Sequence, residues 1–175
     1  KSNKSDKSDK KKDDKSIIDW IEVKIDRIER KIKKLSTIAE SSFKTFSKRN
    51  KALADEISQV TKEIDVQQQA YDRYMKEAKS VGLSKDLVKK VKNGTIDINE
   101  YDSDTADKIQ EYQKWYEAAL DCQQAIQDLG ETISELYKQK FDNLVTEWTN
   151  KVQDLQHIAE RTDAQTSRRS DYASE

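Results

Sequence analysis

Residues 57–81 read ISQVTKEIDVQQQAYDRYMKEAKSV, and Ile57, Val60, Ile64, Gln67, Tyr71, Tyr74, Ala78 and Val81 recur at alternating spacings of three and four. That is a heptad seam, the pattern of a helix that buries one narrow stripe against another helix. The chain can supply the partner itself if it reverses after residue 81 and returns. It contains no proline and only three glycines in 175 residues. Proline breaks helix interiors and glycine weakens them, so this composition favours long helices. Charged residues make up 38% and hydrophobic ones 34%. Such a ratio suits an elongated bundle with seam-like burial better than a thick core.

The formal net charge of −1 gives no global field to recruit nucleic acid or anionic lipid. A single cysteine, Cys122, cannot form an internal disulfide. The apolar runs are far too short for a transmembrane helix, and the basic N-terminus lacks the apolar core of a signal peptide. The sequence opens on Lys1 and ends in polar residues, so we expect a piece of a longer polypeptide.

Residues 1–15 (KSNKSDKSDKKKDDK) contain seven lysines, four aspartates and nothing apolar to bury, and are expected to form a disordered linker. The first long helix is expected over 17–81, with Ser16 as N-cap and Asp19 in the first turn. Ile21, Ile25, Ile28, Ile32, Leu35 and Ala39 continue its stripe, opposite a charged face with i,i+4 partners such as Asp26 and Arg30. Between residues 36 and 50 the register slips by one. Phe43, Asn50, Ile57 and Ile64 form one seven-residue series, whereas Ile21, Ile28 and Leu35 predict position 42. We expect a continuous helix bent at this slip. The alternative is a break, with residues 17–39 pointing elsewhere.

Gly82 ends the helix, and a tip follows over 82–104. Ser84, with Asp86 and Leu87 after it, starts a short helix over 85–92, closed by Asn93-Gly94. Ile96 and Ile98 then lie in extended chain across the helical tip. Asp102, Ser103 and Asp104 cap a second long helix over 105–160. Its stripe is Ile109, Tyr112, Tyr116, Ala119, Cys122, Ile126, Leu129, Ile133 and Leu136, continuing through Phe141, Leu144, Trp148 and Leu155. Gly130 costs roughly 1 kcal/mol but leaves the periodicity intact. Residues 163–175 are expected to fray. The fold class is therefore all-α: an elongated antiparallel helical hairpin, or coiled coil, over 16–162, with a short helix and an extended segment at the tip. At about 1.5 Å per residue the rod is of order 90 Å long. Antiparallel pairing brings Tyr71 and Tyr74 opposite Tyr112, Trp115 and Tyr116, covered by Leu83, Leu87, Val88 and Val91, and brings Ile25 and Ile28 to Leu155 and Ala159.

Residues with possible chemistry are few. Cys122 falls on the buried stripe and reads as core. His157 stands about 50 Å along the same helix from Cys122, so neither a nucleophile pair nor a zinc site forms from them. The run from Asp97 to Asp104 superficially resembles a calcium loop, but the glycine position holds Asp102 and the final carboxylate position holds Lys108, so it reads as a capping loop. There is no phosphate loop, dinucleotide fingerprint or nucleophile elbow. We expect no catalytic, cofactor-binding or metal-binding residue, and no enzyme. The candidate interaction residues are Trp20 with Ile17 and Ile21, an apolar patch near the start of the first helix, and Lys85, Lys89 and Tyr101 at the tip.

The runs DWIEVKIDRIERKIKKL, SKRNKAL, QQQAYDRYMKEAKSVGLSKDLVKKVKNGTIDI, YQKWYEAALDCQQAI and ELYKQKFDNL together resemble a recurrent segment of tail tape measure proteins from siphophages and prophages of gut Firmicutes. The resemblance covers about residues 18–152, and the tip run VGLSKDLVKKVKNGTIDI is its most specific part. It implies a very long helical protein packed inside the phage tail tube, whose length sets that of the tail. No functional residue carries over.

The expected function is thus that of a structural segment, a coiled-coil spacer or scaffold in tail assembly. Its partners are further copies of itself and other phage tail proteins, with no specific nucleic acid and no membrane segment. It is made in the bacterial cytoplasm from a prophage and resides in the virion tail. The alternative is a stalk or binding module of a bacterial surface or secreted protein, with recognition at the tip.

Overall fold

The computed structural model describes residues 3–174 and places them in four α-helices: α1 (Asn3–Ala39), α2 (Phe46–Ser80), α3 (Lys85–Lys92) and α4 (Ser103–Ser174). A 3-10 turn, Ile98–Glu100, precedes α4, and no strand occurs among the described residues. Helices α2 and α4 are antiparallel and form the expected hairpin. Tyr74 meets Trp115 near the tip, with ring centroids 5.7 Å apart, and Asn50 meets Asn143 at the far end.

The first long helix is not continuous. Residues 40–45 turn the chain back, and α1 runs antiparallel to α2 as a third helix. The one-residue slip in the heptad therefore separates two helices rather than bending one. Thr45 accepts a hydrogen bond from the Lys48 amide (3.3 Å) and caps α2. Small residues let the helices approach at the corner: Ala39 and Ala52 are both buried, against Leu53, Ile57, Val60 and Leu136. This reversal overturns the expected approach of Ile25 and Ile28 to Leu155 and Ala159. Ile25 instead packs against the larger core under the tip, and Leu155 is exposed.

The lysine-rich start is helical from Asn3, where a disordered linker was expected; residues 1 and 2 of that stretch lie outside the described residues. A formed helix propagates at one hydrogen bond per residue fixed, and here it gains partners as it does so. Lys10 Nζ lies 2.9 Å from Glu111, and Lys114 Nζ lies 3.5 Å from Asp14, which is buried. At the other end, α4 continues to Ser174 where fraying was expected, because nothing after Gly130 breaks a helix; residue 175 lies outside the described residues.

Two cores hold the bundle. The larger lies under the tip and contains Ile21, Ala70, Tyr74, Ala78, Val91, Ile109, Tyr112, Trp115, Ala119 and Cys122, joined by Leu83, Val88, Ile96 and Ile98. Trp115 and Ile109 are fully buried there, and each large apolar side chain so buried contributes about 1.5–3 kcal/mol. The tip is fixed by the predicted devices. Ser84 accepts from the Leu87 amide, and Gly82 and Gly94 take positive φ values of 77° and 66°. The smaller core lies at the open end.

Candidate interaction site

Trp20 lies on the outer side of α1, 57% exposed, with the Lys24 ammonium 3.7 Å from its ring centroid. It borders a groove between α1 and α2 lined by Ile17, Ile21, Val66, Ala70 and Arg73. Ile21 is 5% exposed and belongs to the core. It cannot serve a docking surface as expected, because the fold-back of α1 turns that side of the helix onto α2. Of the apolar patch, Trp20 is exposed and Ile17 is half-buried beside it in the groove.

At the tip, Lys85 and Lys89 are exposed on α3, as are Lys90 and Lys92. Tyr101 is half-buried against the tip core, and its hydroxyl lies 3.4 Å from Lys90 Nζ. The acidic loop is a capping device. Asp102 accepts from the Thr105 amide (2.9 Å), and the Thr105 hydroxyl and amide hold its carboxyl below the usual range. Asp97 likewise accepts from the Asn99 amide. Among the described residues no group of three His, Cys, Asp or Glu is placed to hold a metal ion. Among the same residues no helix is long and apolar enough to cross a membrane.

Cys122 is buried, and that burial pushes its thiol up to about 11. Tyr74, beside it, is pushed up to about 12 by the same desolvation. His157 is exposed, with Nδ1 3.6 Å from Glu160.

Two features were not read from the sequence. The first is a pair of buried carboxyls on α2. Glu63 is 5% exposed and hydrogen-bonded to Glu29, and Glu56 is 6% exposed near Glu40. The second is the outer face of α4. Phe141, Leu144, Trp148 and Leu155 continue the residue pattern of the seam but not the seam itself. The buried line turns through Leu136 and Asn143, and these four side chains stay exposed together with Tyr137, Val145, Val152 and Ile158. No protein-family model, no curated protein and no solved structure matches the chain.

Proposed function

We propose that the chain is a structural spacer, a helical segment of a phage tail tape measure protein that assembles with further copies of itself and with other tail proteins in the virion tail. The observation that carries this reading is α4. One 72-residue helix spans the bundle and then projects from it alone, about 108 Å in all at 1.5 Å per residue. A bundle closed at one end by α3, with a single helix leaving the other, is a geometry for linking units in series. The sequence resemblance over about residues 18–152 supports a phage tail as the assembly.

The test begins with the reading frame. A frame that continues through many further helical segments, beside genes for tail-tube and baseplate proteins, supports the proposal; a short stand-alone gene overturns it. In the phage itself, deletion of the segment shortens the tail by about 110 Å if it is spanned as a folded bundle, or by about 260 Å if its helices open into one. An unchanged tail length overturns the spacer role.

A second reading, a stalk with recognition at the tip, is favoured by one feature, the cluster of exposed lysines on the short, capped α3. It predicts that Lys85→Ala with Lys89→Ala abolishes binding to a cell or particle surface while leaving the melting temperature in place. An undiminished interaction removes it.

A further inference from the structure

We propose that the outer face of α4 is the self-association surface, and that it pairs two copies antiparallel about a two-fold axis passing near residue 150. The inference goes beyond the spacer reading and rests on the exposed face of α4 alone. The face is a second heptad stripe on the same helix, rotated by one residue from the internal seam. Phe141, Val145, Trp148, Val152, Leu155 and Ala159 recur at four, three, four, three and four, with Leu144 and Ile158 beside them. All are exposed, Phe141, Trp148 and Leu155 by 64–66%. The stripe begins at Tyr137, where α4 is still packed in the bundle, so it is a face distinct from the intramolecular one and continuous with it along the helix.

A stripe with this spacing requires a helix opposite it. Its own layers identify that helix. In an antiparallel pair each layer joins one residue to the residue whose number completes a sum of 300. Phe141 then meets Ala159, Val145 meets Leu155 and Trp148 meets Val152. Every layer sets a large side chain against a smaller one, which is how packed layers fill evenly. At the positions that flank these layers on one side the numbers sum to 302, and Leu144 meets Ile158. A parallel pair would set Trp148 on Trp148 and Phe141 on Phe141, and leave Ala159 facing Ala159 across a void. The one like-charge meeting in the antiparallel arrangement is Lys151 with itself. Each Lys151 is already paired with Glu147 on its own helix (3.5 Å), which removes most of that repulsion.

The area is sufficient. The exposed fractions of these side chains amount to on the order of 700 Å² per copy and about 1,400 Å² per pair, within the range of specific interfaces. An isologous two-fold contact is also the commonest form of self-association.

The test uses the whole chain, spin-labelled singly at Asn150→Cys or Ala164→Cys, both on the side of α4 opposite the stripe. Cys122, 5% exposed, stays unlabelled while the protein is folded. Electron–electron distance measurements should give about 20 Å between copies for the first label and about 45 Å for the second, since fourteen residues on each side of the axis add roughly 42 Å along the helix. Two equally short distances mean a parallel pair: self-association stands and the antiparallel arrangement is overturned. A sedimentation profile that stays monomeric at the highest soluble concentration, with no distance between copies, assigns the stripe to another partner and overturns self-association as well. Trp148→Glu with Leu155→Glu should convert the dimer to monomer with the helical signal and the melting of the bundle kept; a dimer that persists in this variant overturns the assignment of the face.

Discussion

Glu63 of α2 and Glu29 of α1 are hydrogen-bonded across the seam between the two helices, with Glu63 5% exposed. Two carboxylates cannot share such a bond unless one is protonated. Burial is the main reason that Glu63 holds the proton, and the Glu29 charge adds to it, so that its carboxyl is pushed up to about 7. A raised folded value means that the ionised form is disfavoured in the folded state. The contribution of this pair is therefore present in full below about pH 4.5 and is lost as the pH rises towards 7.

Glu63→Gln keeps the shape and removes the titration. It should raise the melting temperature at pH 8 by about 2–4 °C, the shift that roughly 1 kcal/mol makes in a chain of this size, and change it little at pH 4.5. Thermal melts of both proteins at the two pH values check this. A gain of equal size at both would mean that the fold does not raise this carboxyl and that the pair has no part in the pH dependence of stability.

The register of α2 against α4 rests in part on a polar pair. Asn143 Nδ2 donates to Asn50 Oδ1 at 3.2 Å, partly buried among apolar layers. An asparagine pair inside a seam opposes sliding, since any shift leaves both amides unpaired. Asn143→Ala should lower the unfolding free energy by about 0.5–1.5 kcal/mol. Asn50→Leu with Asn143→Leu should recover that loss or exceed it while broadening the resonances of residues near the open end. Urea unfolding and amide spectra of the three proteins decide the point.

The hairpin was legible because its signals are local and strong. The stripe from Ile57 to Val81 fixes α2, Ser84 and Asn93-Gly94 fix α3, and the Tyr74–Trp115 contact follows from antiparallel pairing alone. The fold-back of α1 was not legible, for two physical reasons. The N-cap Thr45 sits among Ser41, Ser42 and Ser47, so its capping role does not stand out from its neighbours. The second buried edge of α2 is made of Ala52, Glu56, Glu63 and Ala70, which does not look like a helix-packing face because two of its four residues are acidic. The outer face of α4 was legible as periodicity but not as a separate surface. A shift of one residue, from Leu136 and Asn143 to Tyr137 and Leu144, turns a stripe by about 100° without breaking the pattern. Which side meets the rest of the chain depends on where α1 and α2 end.

The docking of the N-terminal lysine-rich stretch depends on ion pairs. Lys10–Glu111 and Lys114–Asp14 attach the start of α1 to α4, and contact with Glu111 raises the Lys10 ammonium above its ordinary value. Lys10 and Lys114 are about half exposed, so each pair adds little to global stability, and salt screens it. Lys114→Ala should speed amide hydrogen exchange over residues 10–16 several-fold and shift the melting temperature by less than about 2 °C. High salt should reproduce the same local change in the unsubstituted protein. Exchange that is insensitive to both would place the docking in Ile17, Ile18 and Ile21 instead.

Cys122 provides a reporter of the tip core. Its thiol is buried between α4 and α2, beside Tyr74, and is pushed up to about 11. The thiolate is the reactive form, so at pH 8 both access and ionisation are withheld together. A disulfide reagent should therefore modify the folded protein at a rate set by opening of the bundle, orders of magnitude below that of the unfolded chain. Because the thiol lies in the same core as Trp115 and Ile109, Trp115→Ala should cost about 3–5 kcal/mol and speed that modification by several powers of ten, until the rate approaches that of the unfolded chain. Trp148→Ala, at an exposed site outside both cores, should leave it unchanged. Equal effects of the two substitutions would mean that the projecting part of α4 and the tip core open as one unit. Unequal effects would locate the cooperative unit in the three-helix region, with the projecting helix free to open on its own.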